Sequence, residues 1–525
     1  RAQSVPSLRY AIHLSAPGMD VIGAGEPALP GVSIGHNGKI AFGFTVFSMD
    51  QEDLYVYETK PDDPSEYRSE GRWEPMQVER QLIPVKDGDP VEADLKFTRH
   101  GPVIYDDTQK NVALAVRAAW LEPGTAPYLG SVAYMRAEDW DGFLAAMNRW
   151  GAPGENQVYA DTDGNIGWKP AGLVPRRPNW DGLLPVPGDG RYEWDGFLDA
   201  DELPVEFNPP RGWIASANEM NLPEGYPHEE KKVGFEWYAP YRYERIAEVL
   251  RENPSFGLED SVKLQTDYLS VPARRIVARL RRLRPANPRM EQVLEMLTGW
   301  DCVLSADSAP AALFEVWYGL HLRQALLKKA MEGIVEPGRL DEAVSRVTPD
   351  EDQAGDARMI LETLEKLDTR PGHEEVDEVL SSTLKEAAER LEGLLGVDRA
   401  DWEWGKLHEV HLVHPLSPLA DRLTRGRLDV GPVPRGGSGD TVGNTAYHLE
   451  NLRQTGGSSW RVVVDVGEWN DSLFINSPGQ SGDPASPHYS DLFGPWARDE
   501  AVPLLYSRRN VEAVVERRIV LEPTV

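Results

Sequence analysis

The sequence predicts an α+β protein: a sheet-built core with a helical excursion in the middle of the chain. Three observations predict it. Residues 1–245 carry short apolar runs separated by Gly, Pro and Asn. Residues 246–415 carry apolar positions at helical spacing among charged ones. Residues 416–525 return to turns and strands. A length of 525 residues could hold about three domains at roughly 150 residues each. No Gly/Ser-rich or charged linker separates the three stretches, so they read as one core entered at 1–245, left at 246–415 and rejoined at 416–525.

Each element has a local reason. Val32-Ser-Ile-Gly-His-Asn-Gly-Lys-Ile-Ala-Phe-Gly-Phe-Thr is two apolar runs around an Asn37-Gly38 step, which predicts a hairpin. Asn111 to Trp120 reads as a buried strand, and 125–150 as one amphipathic helix ending before Gly151-Ala-Pro-Gly. Leu258–Leu283 and Ala311–Met331 have helical apolar spacing. The charged stretch 349–396 is also helical and stops at a glycine. Trp460-Arg-Val-Val-Val-Asp-Val predicts a late strand.

Composition removes whole classes of function. There are 55 Lys+Arg against 85 Asp+Glu, a formal net charge of −30, which repels phosphate backbones and argues against a nucleic-acid role. No apolar run reaches the roughly 18 residues a spanning helix needs. The single cysteine, Cys302, cannot form an intrachain disulfide. Arg1-Ala-Gln-Ser-Val-Pro has no apolar signal region and no Met at position 1, so the sequence is expected to start inside a longer gene product.

Several residues invite a chemical reading, each beside a plainer one. Ser438 and Ser481 each follow a glycine pair or Gly-Gln, but Asp440 and Asp483 replace the final glycine of a nucleophile elbow, leaving ordinary Ser-Gly-Asp turns. His408, His411 and His414 have a spacing of three, which gathers ligands on a helix but alternates faces on the extended segment read here. His36 and His100 read as hydrogen-bonded structural histidines. Asp50-Gln-Glu52-Asp53 offers hard oxygen ligands of the kind calcium takes, and equally reads as a solvated turn. Asn218 follows the apolar run Trp213-Ile-Ala, where its amide either stabilises an oxyanion or turns the chain.

Taken in order along the chain, a set of segments resembles the large β chain of the penicillin acylase family of N-terminal nucleophile hydrolases. They are His13-Leu-Ser-Ala-Pro-Gly-Met-Asp-Val-Ile-Gly, Leu29-Pro-Gly-Val-Ser-Ile-Gly-His-Asn-Gly, Arg99-His-Gly-Pro-Val-Ile and Tyr159-Ala-Asp-Thr-Asp-Gly-Asn-Ile-Gly-Trp. Leu184-Pro-Val-Pro-Gly, Leu297-Thr-Gly-Trp-Asp, Pro478-Gly-Gln-Ser-Gly-Asp-Pro and Pro503-Leu-Leu-Tyr-Ser-Arg complete the set. The resemblance implies a four-layer αββα sandwich and autoproteolysis of a precursor into an α chain and this β chain. It also implies a periplasmic or secreted location and hydrolysis of N-acyl amides through an acyl-enzyme on an N-terminal serine. That serine is expected roughly two dozen residues upstream of Arg1, and Ser4 is not its equivalent. An α-amine, which ordinarily titrates near about pH 8, is a competent base for it.

Residue by residue, the resemblance assigns the oxyanion to the Asn218 side chain and the Val46 backbone N–H, supported by Arg242. It places Ser33, Ile34 and Glu155 at the acyl pocket, with aliphatic Ile34 where phenylacetyl-selective members carry an aromatic ring. It assigns calcium to Asp50, Glu52, Asp53, Gly182 and, less directly, Glu230. Two rivals accompany this reading: an N-acyl homoserine lactone or lipopeptide acylase on the same scaffold, and a non-catalytic, calcium-stabilised binding protein.

Overall fold

A computed structural model describes residues 3–126, 128–347, 357–369 and 374–523. In chain order, the first strands are β1 (Tyr10–Ala16), β2 (Met19–Gly25), β3 (Ile34–His36) and β4 (Ile40–Val46). The chain then makes β5 (Glu52–Lys60), β6 (Asp63–Ser69), β7 (Arg72–Pro75), β8 (Gln77–Ile83), β9 (Val91–Thr98), β10 (Gly101–Asp107) and β11 (Val112–Ala118). Two short helices, α1 (Leu129–Tyr134) and α2 (Trp140–Met147), precede β12 (Glu155–Asp161), β13 (Ile166–Ala171), β14 (Val186–Pro187) and β15 (Glu206–Phe207).

The central sheet has the order β1-β2-β3-β4-β12-β13-β15. Its β3–β4 hairpin turns at Asn37-Gly38 as predicted. The Asn37 side-chain oxygen accepts from the Lys39 and Ile40 N–H groups at 3.0 Å each, and Gly38 takes φ +80°. One face of the sheet packs on α1 and α2 through Val21, Ile40, Phe42, Tyr134, Phe143, Met147 and Trp150. A second sheet, β7-β6-β5-β11-β10-β9-β8 with β14 against β5, leaves the first at the β4–β5 connection.

The middle of the chain is helical: α3 (Tyr241–Glu252), α4 (Leu258–Gln265), α5 (Val271–Leu280), α6 (Pro288–Thr298), α7 (Ala309–Trp317), α8 (Arg323–Met331), α9 (Leu340–Val347), α10 (Ala357–Asp368) and α11 (Glu374–Leu395). Helices α7 and α8 run on through a single π turn at Tyr318–Leu322. Their apolar faces make the largest core cluster, with Trp317, Leu322, Leu384, Trp402 and Trp404 all at 0% exposure.

The last strands are β16 (Glu409–Leu412), β17 (Val430–Pro434), β18 (Trp460–Val463), β19 (Leu473–Asn476) and β20 (Val502–Pro503). A separate three-stranded sheet, β18-β19-β20, meets the central sheet through two contacts. Asn476 donates to the Arg9 carbonyl at 2.7 Å, and the His36 ring stacks on Trp469 at 4.5 Å. Helix α4 packs against β18 from outside. The order is therefore helix, sheet, sheet, helix, an αββα α+β fold.

Two predicted elements differ. The single helix expected over 125–150 is two, because Asp139 starts a new helix by accepting the Gly142 N–H at 2.8 Å. The run 258–283 likewise breaks at 266–270. Ser270 caps α5 and Pro272 sits in its first turn, where a missing N–H costs nothing. Residues 348–356 and 370–373 of the predicted 349–396 helix lie outside the described residues.

Candidate active site

The last residue of β4 is Val46, directly opposite Glu155 on β12. Side chains alternate faces along a strand, so Thr45 and Asn156, the next pair, point away from α1 and α2. Asn156 is fully buried. Its Nδ2 donates to Thr45 Oγ1 at 3.2 Å and to the Val46 carbonyl at 3.3 Å, and its Oδ1 accepts from Trp168 Nε1 at 2.7 Å. Thr45 shares a 2.9 Å hydrogen bond with Ser216.

Two residues beyond Ser216 stands Asn218, with φ +70°. Asn is among the few residues that enter the left-handed region readily. The turn delivers its amide to the end of β4, where Nδ2 donates to the Val46 carbonyl at 2.9 Å. An amide nitrogen carries two hydrogens, so one remains for a ligand. Arg242, at the start of α3, donates from Nη2 to Asn218 Oδ1 at 3.1 Å. This fixes which way the amide faces. The Arg242 guanidinium lies over Tyr238 at 5.5 Å. Burial lowers its pKa, and Asp440, Tyr238 and Glu219 oppose that shift. Glu219 is buried next to Asn218; burial raises its pKa, and the Ala217 N–H donated to it at 2.7 Å partly offsets this.

The structure thus brings Asn218, Val46 and Arg242 together. It does not gather the three expected acyl-pocket residues on one surface. Ile34 flanks Gly43 together with Val158, each about 3.7 Å from where a Gly43 Cβ would stand, on the face away from α1 and α2. Glu155, 1% exposed, lies on the opposite face, near enough to Tyr134 for its charge to push that phenol's pKa further up after burial has done so. Ser33 is buried, and its carbonyl accepts the Tyr134 hydroxyl at 2.9 Å. The alternation of β4 against β12 separates Ile34 from Glu155.

The acidic loop just past Val46 is built differently from the calcium expectation. Asp50 and Asp53 both face Arg177, at 3.2 Å (Nη2 to Asp50 Oδ2) and 2.7 Å (Nε to Asp53 Oδ2). Gly182 adjoins them: a Cβ there would stand 2.6 Å from Asp50 Oδ2 and 2.7 Å from Arg177 Cζ. The Glu52 and Glu230 side chains are exposed. Among the described residues no group of three or more His, Cys, Asp or Glu is placed to hold a metal ion. Arg177 thus stands between the two inward carboxylates of the expected calcium set, and Asp50 Oδ2 is buried with no hydrogen-bond partner. Burial raises the Asp50 pKa to about 6 despite Arg177. The loop borders a cavity of about 660 Å³ with Trp120, Leu183 and Phe235 among its walls.

The other sequence candidates resolve plainly. His408 is fully buried, stacked on Trp404 at 4.7 Å and bonded through Nδ1 to the Leu452 carbonyl at 2.9 Å. His414 accepts from the Leu416 N–H at 3.1 Å, so the histidine series is not a ligand set. Ser438 and Ser481 accept the Asp440 and Asp483 N–H groups within their turns. His100 is hydrogen-bonded to Glu193 at 3.0 Å, whereas His36 is held by ring stacking, with both nitrogens unbonded. Asn156 and Arg177 were not predicted. An amide inside the apolar strand Glu155–Asp161 was the one available signal for the first. Arg177 gave none, lying 124 residues from Asp53.

The site is an amide at a strand end, oriented by an arginine and set in a mixed α+β fold. The chain belongs to the penicillin amidase family, which it matches over residues 1–513. It is 31% identical over 531 residues to penicillin acylase 2 proenzyme of Pseudomonas sp. strain SE83, covering 99% of this chain and 66% of that protein. It is 30% identical over 580 residues to acyl-homoserine lactone acylase QuiP of Pseudomonas aeruginosa, again covering 99% and 66%. The chain thus spans about two thirds of the length of these relatives. Its fold is that of a thermostable penicillin G acylase from Alcaligenes faecalis, with a TM-score of 0.75 at 22% identity, covering 100% of this chain and 96% of that one. No helix among the described residues is long and apolar enough to cross a membrane.

Proposed function

We propose that this chain is the larger part of an amidohydrolase that cleaves N-acyl amide bonds. The observation that carries the reading is the Arg242–Asn218–Val46 arrangement: an amide oriented through its oxygen, keeping one N–H to donate. In this reading a serine outside these 525 residues attacks the acyl carbonyl, its own α-amine taking the hydroxyl proton. The carbonyl oxygen gains charge and accepts from Asn218 Nδ2 and from the Val46 backbone N–H. The amine leaves with a proton, and water then releases the acid. Donors aimed at developing charge are stronger in the transition state than in the ground state, which is what lowers the barrier. The remaining polypeptide would arise with this chain from one precursor and work outside the cytoplasm.

A second reading concerns the acyl group. The relationship to an acyl-homoserine lactone acylase over 99% of the chain, together with aliphatic Ile34 and Val158 flanking Gly43, favours an aliphatic acyl chain over phenylacetyl. The test is a panel of phenylacetyl amides, alkanoyl amides and N-acyl homoserine lactones given to the complete protein, with N-terminal sequencing of every chain in it. Turnover of alkanoyl substrates by a protein with an N-terminal serine is expected. No turnover of any N-acyl substrate, with no such serine present, would instead favour a binding protein on the same fold.

A further inference from the structure

Where the chain passes from β4 into β5 it places three carboxylates in four residues, Asp50, Glu52 and Asp53. Two of them turn inward. The Asp53 side chain is 1% exposed and that of Asp50 is 18% exposed. A buried and a half-buried carboxylate three residues apart repel each other and lose hydration, so a positive charge between them stabilises the fold. We infer that the guanidinium of Arg177 is that charge: a built-in cation that occupies the place of a divalent metal in this loop.

The geometry supports this from four sides. Arg177 is itself buried, with a side chain 4% exposed; its Nε donates to Asp53 Oδ2 at 2.7 Å, and its Nη2 pairs by charge with Asp50 Oδ2 at 3.2 Å. Its Nη2 also donates to the Glu52 carbonyl at 3.4 Å, so one fork spans the whole acidic turn. Both Asp53 oxygens have indole partners as well: Trp194 Nε1 donates to Oδ2 at 2.6 Å and Trp180 Nε1 to Oδ1 at 3.4 Å. Gly182 closes the cradle, since any side chain there would collide with Arg177 and Asp50. A metal bound to Asp50 and Asp53 would have to displace the guanidinium from both. A planar fork with five donors suits this better than a lysine, because it serves two carboxylates and a carbonyl from fixed directions.

The inference is independent of the proposed reaction and is tested on the folded, complete protein without reference to activity. Metal analysis and thermal unfolding are measured with and without a strong calcium chelator, on the wild type, Arg177→Ser and Arg177→Lys. Expected are a wild type without stoichiometric calcium and with an unchanged melting temperature in chelator. Arg177→Ser should melt about 3–5 °C lower, as removing one member of a buried ion pair does. Millimolar calcium should recover part of that loss by occupying the vacated position between Asp50 and Asp53, with Arg177→Lys intermediate. A wild type that carries one calcium per chain, and melts lower once it is stripped, overturns the inference even if neither variant folds. Arg177→Ser melting with the wild type would overturn it as well.

Discussion

Two corners of the molecule, four residues apart on the same connection, use an arginine in opposite ways. At Val46 the buried Arg242 binds the oxygen of a neutral amide, Asn218, and leaves that amide's nitrogen with a hydrogen to give. At Asp50 the buried Arg177 sits between two carboxylates, hydrogen-bonded to Asp53 and paired by charge with Asp50. The first arginine orients a donor; the second neutralises acceptors. A guanidinium directed at a neutral group leaves a donor free for chemistry, and one directed at anions produces a fastening. Asn156 also donates to the Val46 carbonyl, at 3.3 Å.

The comparison can be broken most sharply at Asn218. In the complete enzyme Asn218→Ala should lower kcat about 10²–10³-fold, the typical cost of one oxyanion donor, with an unchanged melting temperature. Steady-state kinetics beside a thermal melt checks both halves. Arg242→Ala should cost less, roughly 10–100-fold, because it loses a charged hydrogen bond that acts through Asn218. Its signature is a fall in kcat with little change in KM.

A third test lies in α7. Glu315 is fully buried against the Tyr447 hydroxyl, and burial raises its pKa to about 8. Above the ordinary carboxylate pKa of about 4.5, the folded state then holds a proton that the unfolded state has released. Stability must fall as pH rises from about 5 to about 8. Glu315→Gln should flatten that part of the denaturation profile, and a variant whose stability follows the wild-type slope would contradict the assignment. The smallest effect is expected at Ser481→Ala. Its turn is exposed, so stability should change by no more than about 0.5 kcal/mol and turnover not at all.

What the sequence made legible follows the range of each interaction. The Asn37-Gly38 hairpin, the strand at Val112–Ala118 and the helix through Ala309–Met331 are written in local period and turn chemistry, and each was readable. The breaks at 135–139 and 266–270 were readable in principle from Asp139 and from Ser270-Val-Pro272. Apolar spacing simply continued across them. In the site, Asn218 was locatable because its turn lies beside its strand-like run, and Arg242 because the resemblance carried it. Arg177 and Asn156 were not locatable, since their roles arise from pairings 110 to 124 residues apart that no local pattern encodes. The face on which Glu155 falls depends on its register with β4, and only the structure supplied that register.

The central claim is that Arg242 works through Asn218 and not beside it. A double-mutant cycle on kcat, using Asn218→Ala, Arg242→Ala and the pair, measures this directly. If the claim is right, the double variant is no slower than Asn218→Ala alone, because without the amide Arg242 has nothing left to orient. If the two losses multiply, Arg242 meets the substrate or the nucleophile by a route of its own, and the arrangement described here is not what holds the oxyanion donor.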